Sequence, residues 1–261
     1  MFFGWEIVTL PPDVSIIGFA ILCLVSFFAS GVSSSLGLGG GLMTITALIY
    51  LMNPTAVIPV HAVIQANSNF FRALMNWRSI NFVWILPFIC GSFIGVIIGG
   101  QLSFNLPKHL LEGIIGLFII YSLWGPKLMN FNKPSYLVAM GTGIFSSFAT
   151  MFVGGTGPLV APFIKATTAD RIATVATHGA YMSIQHTLKI LVFGILGFAF
   201  GPYMILIISM VICGVIGTWF GKYLLILMPE QSFNIGFNSI LTILALKLLY
   251  SAISQLISPA A

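Results

Sequence analysis

In a chain with only 6% charged residues, the run from His61 to Asn76, HAVIQANSNFFRALMN, gathers His61, Gln65, Ser68, Asn69, Arg72 and Asn76. On a helix at about 100° per residue, with His61 at zero, Gln65 falls at about 40°, Ser68 at about −20°, Asn69 at about 80°, Arg72 at about 20° and Asn76 at about 60°. The polar groups share one stripe about 100° wide, while Phe70, Phe71, Leu74 and Met75 lie mostly elsewhere. His61 and Arg72 stack along it about 16 Å apart. A row of hydrogen-bonding groups ending in a guanidinium reads as one wall of a passage for an anion.

The arrangement recurs. His178 follows His61 by 117 positions and Lys189 follows Arg72 by the same 117, while Gly155 follows Gly39 by 116. Gly95 and Gly217, Gly99 and Gly221, and Pro107 and Pro229 are each 122 apart. From His178, Gln185 lies at about −20°, His186 at about 80° and Lys189 at about 20°, so Gln185 answers Ser68 and His186 answers Asn69. The chain therefore reads as two repeats of about 115 residues. Each presents its polar stripe at the same place, the arrangement two-repeat transporters use for a site near the membrane midplane.

The elements that hold these stripes need a bilayer. The chain is 58% hydrophobic with a mean hydropathy of +1.07, against about 25% charged residues in a soluble domain. Long apolar runs separated by short polar loops predict an all-α polytopic membrane protein with about 8–10 membrane segments. Residues 1–14 are a lead-in, 15–125 the first membrane repeat, 126–134 a linker and 135–257 the second repeat, together one transport domain. In the first repeat a span over 15–35 runs into Gly37 to Gly41, and a short apolar piece follows to Met52. Then come the polar-striped helix over 55–77 and spans over 82–104 and 109–124. In the second, a span over 135–153 runs into Gly154 to Gly157, a short piece reaches Ile164, and 165–171 forms a polar break. Segments over 172–200, 202–226 and 232–257 complete it. Each repeat is thus a glycine-broken segment pair plus three full spans.

Arg78, Lys127, Lys133, Lys165 and Arg171 lie in three short loops, whereas the loop around Gly197 to Gly201 is uncharged. Placing the charged loops in the cytoplasm puts the Gly197 loop outside and makes the repeats inverted, with Lys108 the exception. The net charge of +5 is dispersed over the loops, so positive-inside bias accounts for it and nucleic acid is not a partner. Cys23, Cys90 and Cys213 sit in apolar runs without metal spacing, and neither a metal nor another cofactor is expected. Met1 to Pro12 has no basic stretch, so a cleaved signal peptide is not expected and the first span is expected to remain.

A helix beginning just after a glycine break aims unpaired N–H groups and its positive dipole end at the break. This assigns Gly39, Gly40 and Gly41, with Gly155, Thr156 and Gly157, to anion coordination. Packing by small residues is the alternative, and it is the role expected for the Gly95/Gly99 and Gly217/Gly221 pairs. Arg72 and Lys189 within spans need partners. The acids are Glu6, Asp13, Glu112, Asp170 and Glu230. Their positions favour an anionic substrate over an internal ion pair, with snorkelling to the interface as the alternative. His61 and His178, with Gln65, Asn69, Gln185 and His186 beside them, are either hydrogen-bond donors to an oxyanion, carriers of a coupling proton, or satisfied core groups. No carboxylate pair, metal spacing or nucleophile motif supports an enzyme.

The two glycine-broken halves, LGLGGGLM and FVGGTGPLVAPF, each followed by a polar-studded helix, resemble the TauE/SafE (TSUP) sulfite/sulfonate exporter family over about residues 16–250. The chain departs from the family pattern in carrying His61 and His178 where small hydroxyl residues are common. The resemblance implies a bacterial-type plasma-membrane permease for sulfur oxyanions such as sulfite or organosulfonates. The expectation is a secondary transporter with its site between the repeats, with a proton or sodium as coupling ion and a homo-oligomer both left open. An anion channel and a membrane scaffold subunit are the alternatives.

Overall fold

The computed structural model describes residues 10–36, 39–103, 107–126, 134–224 and 230–257. Among these it contains ten α-helices and no strand. The first half holds α1 (Ile16–Leu36), α2 (Gly40–Leu51), α3 (Pro54–Leu74), α4 (Ile85–Ser103) and α5 (Lys108–Trp124). The second holds α6 (Tyr136–Val153), α7 (Gly157–Thr167), α8 (Arg171–Ile195), α9 (Met204–Leu224) and α10 (Glu230–Ile257). Each half therefore has a long helix, a short one after a glycine break, and three more. Gly37 and Leu38 of the first break, most of the lead-in and linker, Asn105 and Leu106 of the loop before α5, and Met228 and Pro229 lie outside the described residues.

Local chemistry sets the ends of the central helices. Asn53 caps α3, its Oδ1 accepting from the Thr55 N–H at 3.2 Å, and Pro54 follows at the first position, where a missing N–H costs nothing. Asp170 caps α8 through the Ala173 N–H at 2.8 Å. Helix α8 stops at Ile195, short of the expected Phe200, because the chain reverses at Gly197 with a φ of 91°, a left-handed conformation that glycine adopts freely. Helix α3 likewise ends before Asn76, which is exposed in the following turn and leaves the predicted stripe. Helix α7 continues to Thr167, so Lys165 is helical rather than part of a break.

Among the described residues, Ile16–Ser35, Ile85–Leu102, Tyr136–Val153 and Gly201–Gly221 are long and apolar enough to cross a membrane. Helices α3 and α8, 21 and 25 residues long, have the length but carry the polar stripes. The surface is the reverse of a soluble protein's. Ile17, Leu24, Phe93, Leu102 and Ile212 are exposed, while His61, Asn69, Arg72, His186 and Lys189 are buried. Only lipid makes that distribution favourable, so the chain is a multi-pass membrane protein.

The polar helices occupy the centre and cross each other antiparallel. Ser183 Oγ donates to the Ala66 carbonyl at 3.1 Å, and Gly179 lies against the backbone of Asn69 and Ala73, where a Cβ would meet the Asn69 oxygen at 2.9 Å. Helix α4 packs parallel to α6, and α9 packs parallel to α1. Gly91, Gly95 and Gly99 face Met140, Ile144 and the Phe148–Met151 turn of α6, while Gly217 and Gly221 face Phe27 and Gly31 of α1. These glycines therefore serve close helix approach, the role expected of the two spaced pairs. Helix α5 packs on α10. Exchanging each helix of one half for its counterpart maps these principal contacts onto themselves.

Candidate functional site

The two glycine breaks meet at the centre of the molecule. A Cβ on Gly155 would lie 3.7 Å from the Gly41 carbonyl carbon, and one on Gly154 would lie 3.4 Å from His61 Nδ1. Gly39, with a φ of 99°, starts α2, and Gly154, with a φ of 77°, ends α6. Both conformations disfavour a side chain, which is why glycine stands at each turn. Helices α2 and α7 both begin at this centre, so the positive dipole ends of two helices converge there, while Ser33 Oγ already accepts from the Gly40 N–H at 3.1 Å.

A cavity of about 30 Å³ lies where they converge. Its walls come from Ser33, Gly39, Gly41 and Leu42, from Gln65, Asn69 and Arg72 of α3, from Gly155, Gly157 and Pro158, and from His178, Met182 and His186 of α8. Nine of the residues singled out from sequence stand in that wall: Gly39, Gly41, Gln65, Asn69, Arg72, Gly155, Gly157, His178 and His186. The remaining five, Gly40, His61, Thr156, Gln185 and Lys189, lie around it.

Arg72 is 3% exposed, so it does not snorkel. Its Nη1 donates to the Ser33 carbonyl at 3.0 Å, and its Nη2 donates to Asn69 Oδ1 at 2.5 Å and to His178 Nδ1 at 3.0 Å. A guanidinium only donates, so His178 Nδ1 is the acceptor and the ring hydrogen sits on Nε2. That hydrogen is directed at the Gly157 carbonyl, 3.2 Å away. Asn69 Nδ2 donates to the Gln65 carbonyl at 2.7 Å, which turns the Asn69 oxygen toward Arg72. Gln65 Nε2 reaches Thr44 Oγ1 at 3.2 Å, and Thr44 donates to the Gly40 carbonyl at 2.9 Å. One chain of hydrogen bonds thus runs from the first break through α3 to α8.

The second half repeats the pattern with different outcomes. His61 Nε2 contacts the Gly41 carbonyl at 3.0 Å, as His178 contacts Gly157. Arg72 bonds a carbonyl 39 residues before it, and Lys189 does the same at Thr150, 3.3 Å away. The shortest bond of Lys189, however, is 2.7 Å to the Gly154 carbonyl, and the ammonium is fully buried behind the break instead of in the cavity wall. Gln185 donates to Ser146 Oγ and Ser147 Oγ, both at 2.9 Å, and its oxygen accepts from Thr156 at 2.9 Å. Thr156 and Gln185 therefore brace the second break. Gly40 faces α1, where a Cβ would collide with the Ala29 carbonyl and the Ser33 side chain.

Sequence reasoning passed over Ser33, Leu42, Pro158 and Met182. Ser33 was open to discovery, because the repeat offset of 117 pairs it with Thr150, the residue that Lys189 bonds. Leu42 and Met182 are ordinary apolar residues and carry no such signal. Arranged this way, the centre offers a fixed guanidinium, an amide and two helix N-termini, a set suited to holding a small anion. Among the described residues there is no cluster of metal-ligating side chains.

A model of the family described as sulfite exporter TauE/SafE matches residues 22–248. No curated protein and no solved structure matches the chain.

Proposed function

The chain belongs to the sulfite exporter TauE/SafE family, and from that premise we propose that it carries a small sulfur oxyanion, sulfite or a short organosulfonate, through the seam between its halves. The family is one of membrane transporters and not of enzymes, and membership implies a sulfur-anion permease. The site, the substrate and the plasma membrane of a bacterium as its location are the proposal.

One observation carries the reading. The N-termini of α2 and α7 and the Arg72 guanidinium border the same central cavity. Positive dipole ends and a cation meeting there favour an oxyanion over a cation or a neutral solute. The small size of the cavity, about 30 Å³, favours an anion of few heavy atoms. The antiparallel crossing of α3 and α8, which are counterparts in the two repeats, supports inverted repeats related by an axis in the membrane plane. Rocking of one half against the other about that crossing then exposes the site to each side in turn.

Counterflow tests it. Proteoliposomes preloaded with unlabelled sulfite should transiently concentrate external labelled sulfite, and external methanesulfonate should compete. Simple equilibration without overshoot would identify a channel. No saturable flux of either anion would remove the reading.

A further inference from the structure

Three buried histidines share the centre, but only one is saturated with hydrogen bonds. His178 accepts from Arg72 at Nδ1 and contacts the Gly157 carbonyl at Nε2. His61, with no exposed surface, contacts the Gly41 carbonyl at Nε2, while its Nδ1 is buried without a partner. A carbonyl can only accept, so the neutral ring carries its hydrogen on Nε2 and Nδ1 presents a bare lone pair. His186, 2% exposed, also has a buried Nδ1 without a partner. The two rings meet edge to face, with centroids 5.6 Å apart, and His186 belongs to the cavity wall. A buried polar atom left unpaired is costly, and such exceptions in a folded protein call for an explanation.

Resting on the transport reading above, we infer that the His61–His186 pair takes up one proton when the anion binds and releases it when the anion leaves. The charged and titratable groups whose fields reach the pair are Lys189, Arg72 and His178. Ser33, Thr44, Thr150 and Thr156, which α1, α2, α6 and the second break bring to the centre, do not titrate. A third positive charge beside Lys189 and Arg72 is opposed by their repulsion. An anion in the cavity offsets that repulsion, so proton and anion stabilise one another, as reciprocal linkage requires. Hydronium or a buffer acid reaching the cavity gives up a proton and its conjugate base returns to solvent; an N–H bond forms at the free lone pair of one of the two rings, and water on the opposite side accepts the proton once the anion has gone. The pair takes one proton and not two, because two imidazolium rings at that separation repel. His178 cannot serve, since its Nδ1 lone pair is already committed to Arg72.

Sulfite itself titrates near neutrality, so the test compares proteins. Calorimetry of sulfite binding in buffers of different ionisation heat counts the protons taken up per anion. Wild type should take up about one more proton than the protein carrying His61→Gln and His186→Gln together, whereas His178→Gln should keep the wild-type count even where affinity falls. Wild type should also take up about one proton with methanesulfonate, which does not titrate in this range, a reading that needs no variant. Equal counts in wild type and the double variant, or no proton uptake by wild type with methanesulfonate, overturn the inference while leaving the anion site standing. A wild type that binds neither anion overturns the transport reading and this inference with it.

Discussion

Arg72 and Lys189 occupy matching places in the two halves, each bonding a carbonyl 39 residues before it, but should fail differently when replaced. Arg72→Gln removes the charge facing the cavity, and a charge-assisted hydrogen bond to an anion is worth about 1.5–3 kcal/mol, so affinity for sulfite should fall roughly ten- to a hundredfold. It also withdraws donors from the Ser33 carbonyl, Asn69 Oδ1 and His178 Nδ1. Each acceptor left unpaired costs about 1–3 kcal/mol, reduced wherever the glutamine amide or cavity water takes the vacated place. Arg72→Lys should recover only part of the affinity, because a single ammonium cannot span acceptors that the guanidinium fork reaches together. Lys189→Met removes a donor from Gly154 and Thr150 behind the second break. Its main effect should be a lower unfolding temperature, with a smaller change in affinity than Arg72→Gln. Sulfite titration calorimetry on detergent-purified variants that remain monodisperse gives affinity, and the thermal transition without ligand gives stability. A folded Arg72→Gln protein that binds sulfite within twofold of wild type, or a Lys189→Met protein that loses more affinity than Arg72→Gln, would refute this division of roles.

Two further outcomes are expected. Gly41→Ala should fold normally, because its Cβ would rest at an ordinary 3.6 Å from Gln65 Oε1, yet weaken sulfite binding by putting a methyl into the cavity; Gly40→Ala should instead lower stability against α1, and thermal scans with paired binding curves separate the two. With Cys23, Cys90 and Cys213 replaced, a cysteine at Ser79 should react with an impermeant maleimide only from the cytoplasmic side and one at Gly201 only from outside. Labelling of both from one side would disprove the inverted topology.

Much of the centre was legible before any coordinates, for a physical reason. In a chain that lipid surrounds, a polar side chain is costly unless it has work to do, so His61, Asn69, Arg72, His178 and Lys189 stood out by type alone. Helical periodicity then placed them on one stripe, and the shared offset of 117 showed that a second stripe existed. The glycine breaks were visible for a similar reason, since irregular backbone at membrane depth must face protein or a water-filled cavity. What periodicity cannot supply is the partner across the gap. It gives the azimuth of a side chain on its own helix and says nothing about which carbonyl of another helix lies within reach. That Arg72 borders the cavity while Lys189 turns to Gly154 depends on the path of α6 past α8. The saturation of His178 depends likewise on Arg72 crossing from α3 to α8, and the unpaired Nδ1 of His61 goes with Lys189 turning to Gly154 instead. Matching residues of the two halves inherit matching positions, but only the packed structure decides their hydrogen bonds, because the side chains at the facing positions differ between the halves, as Asn69 differs from His186 and Arg72 from Lys189.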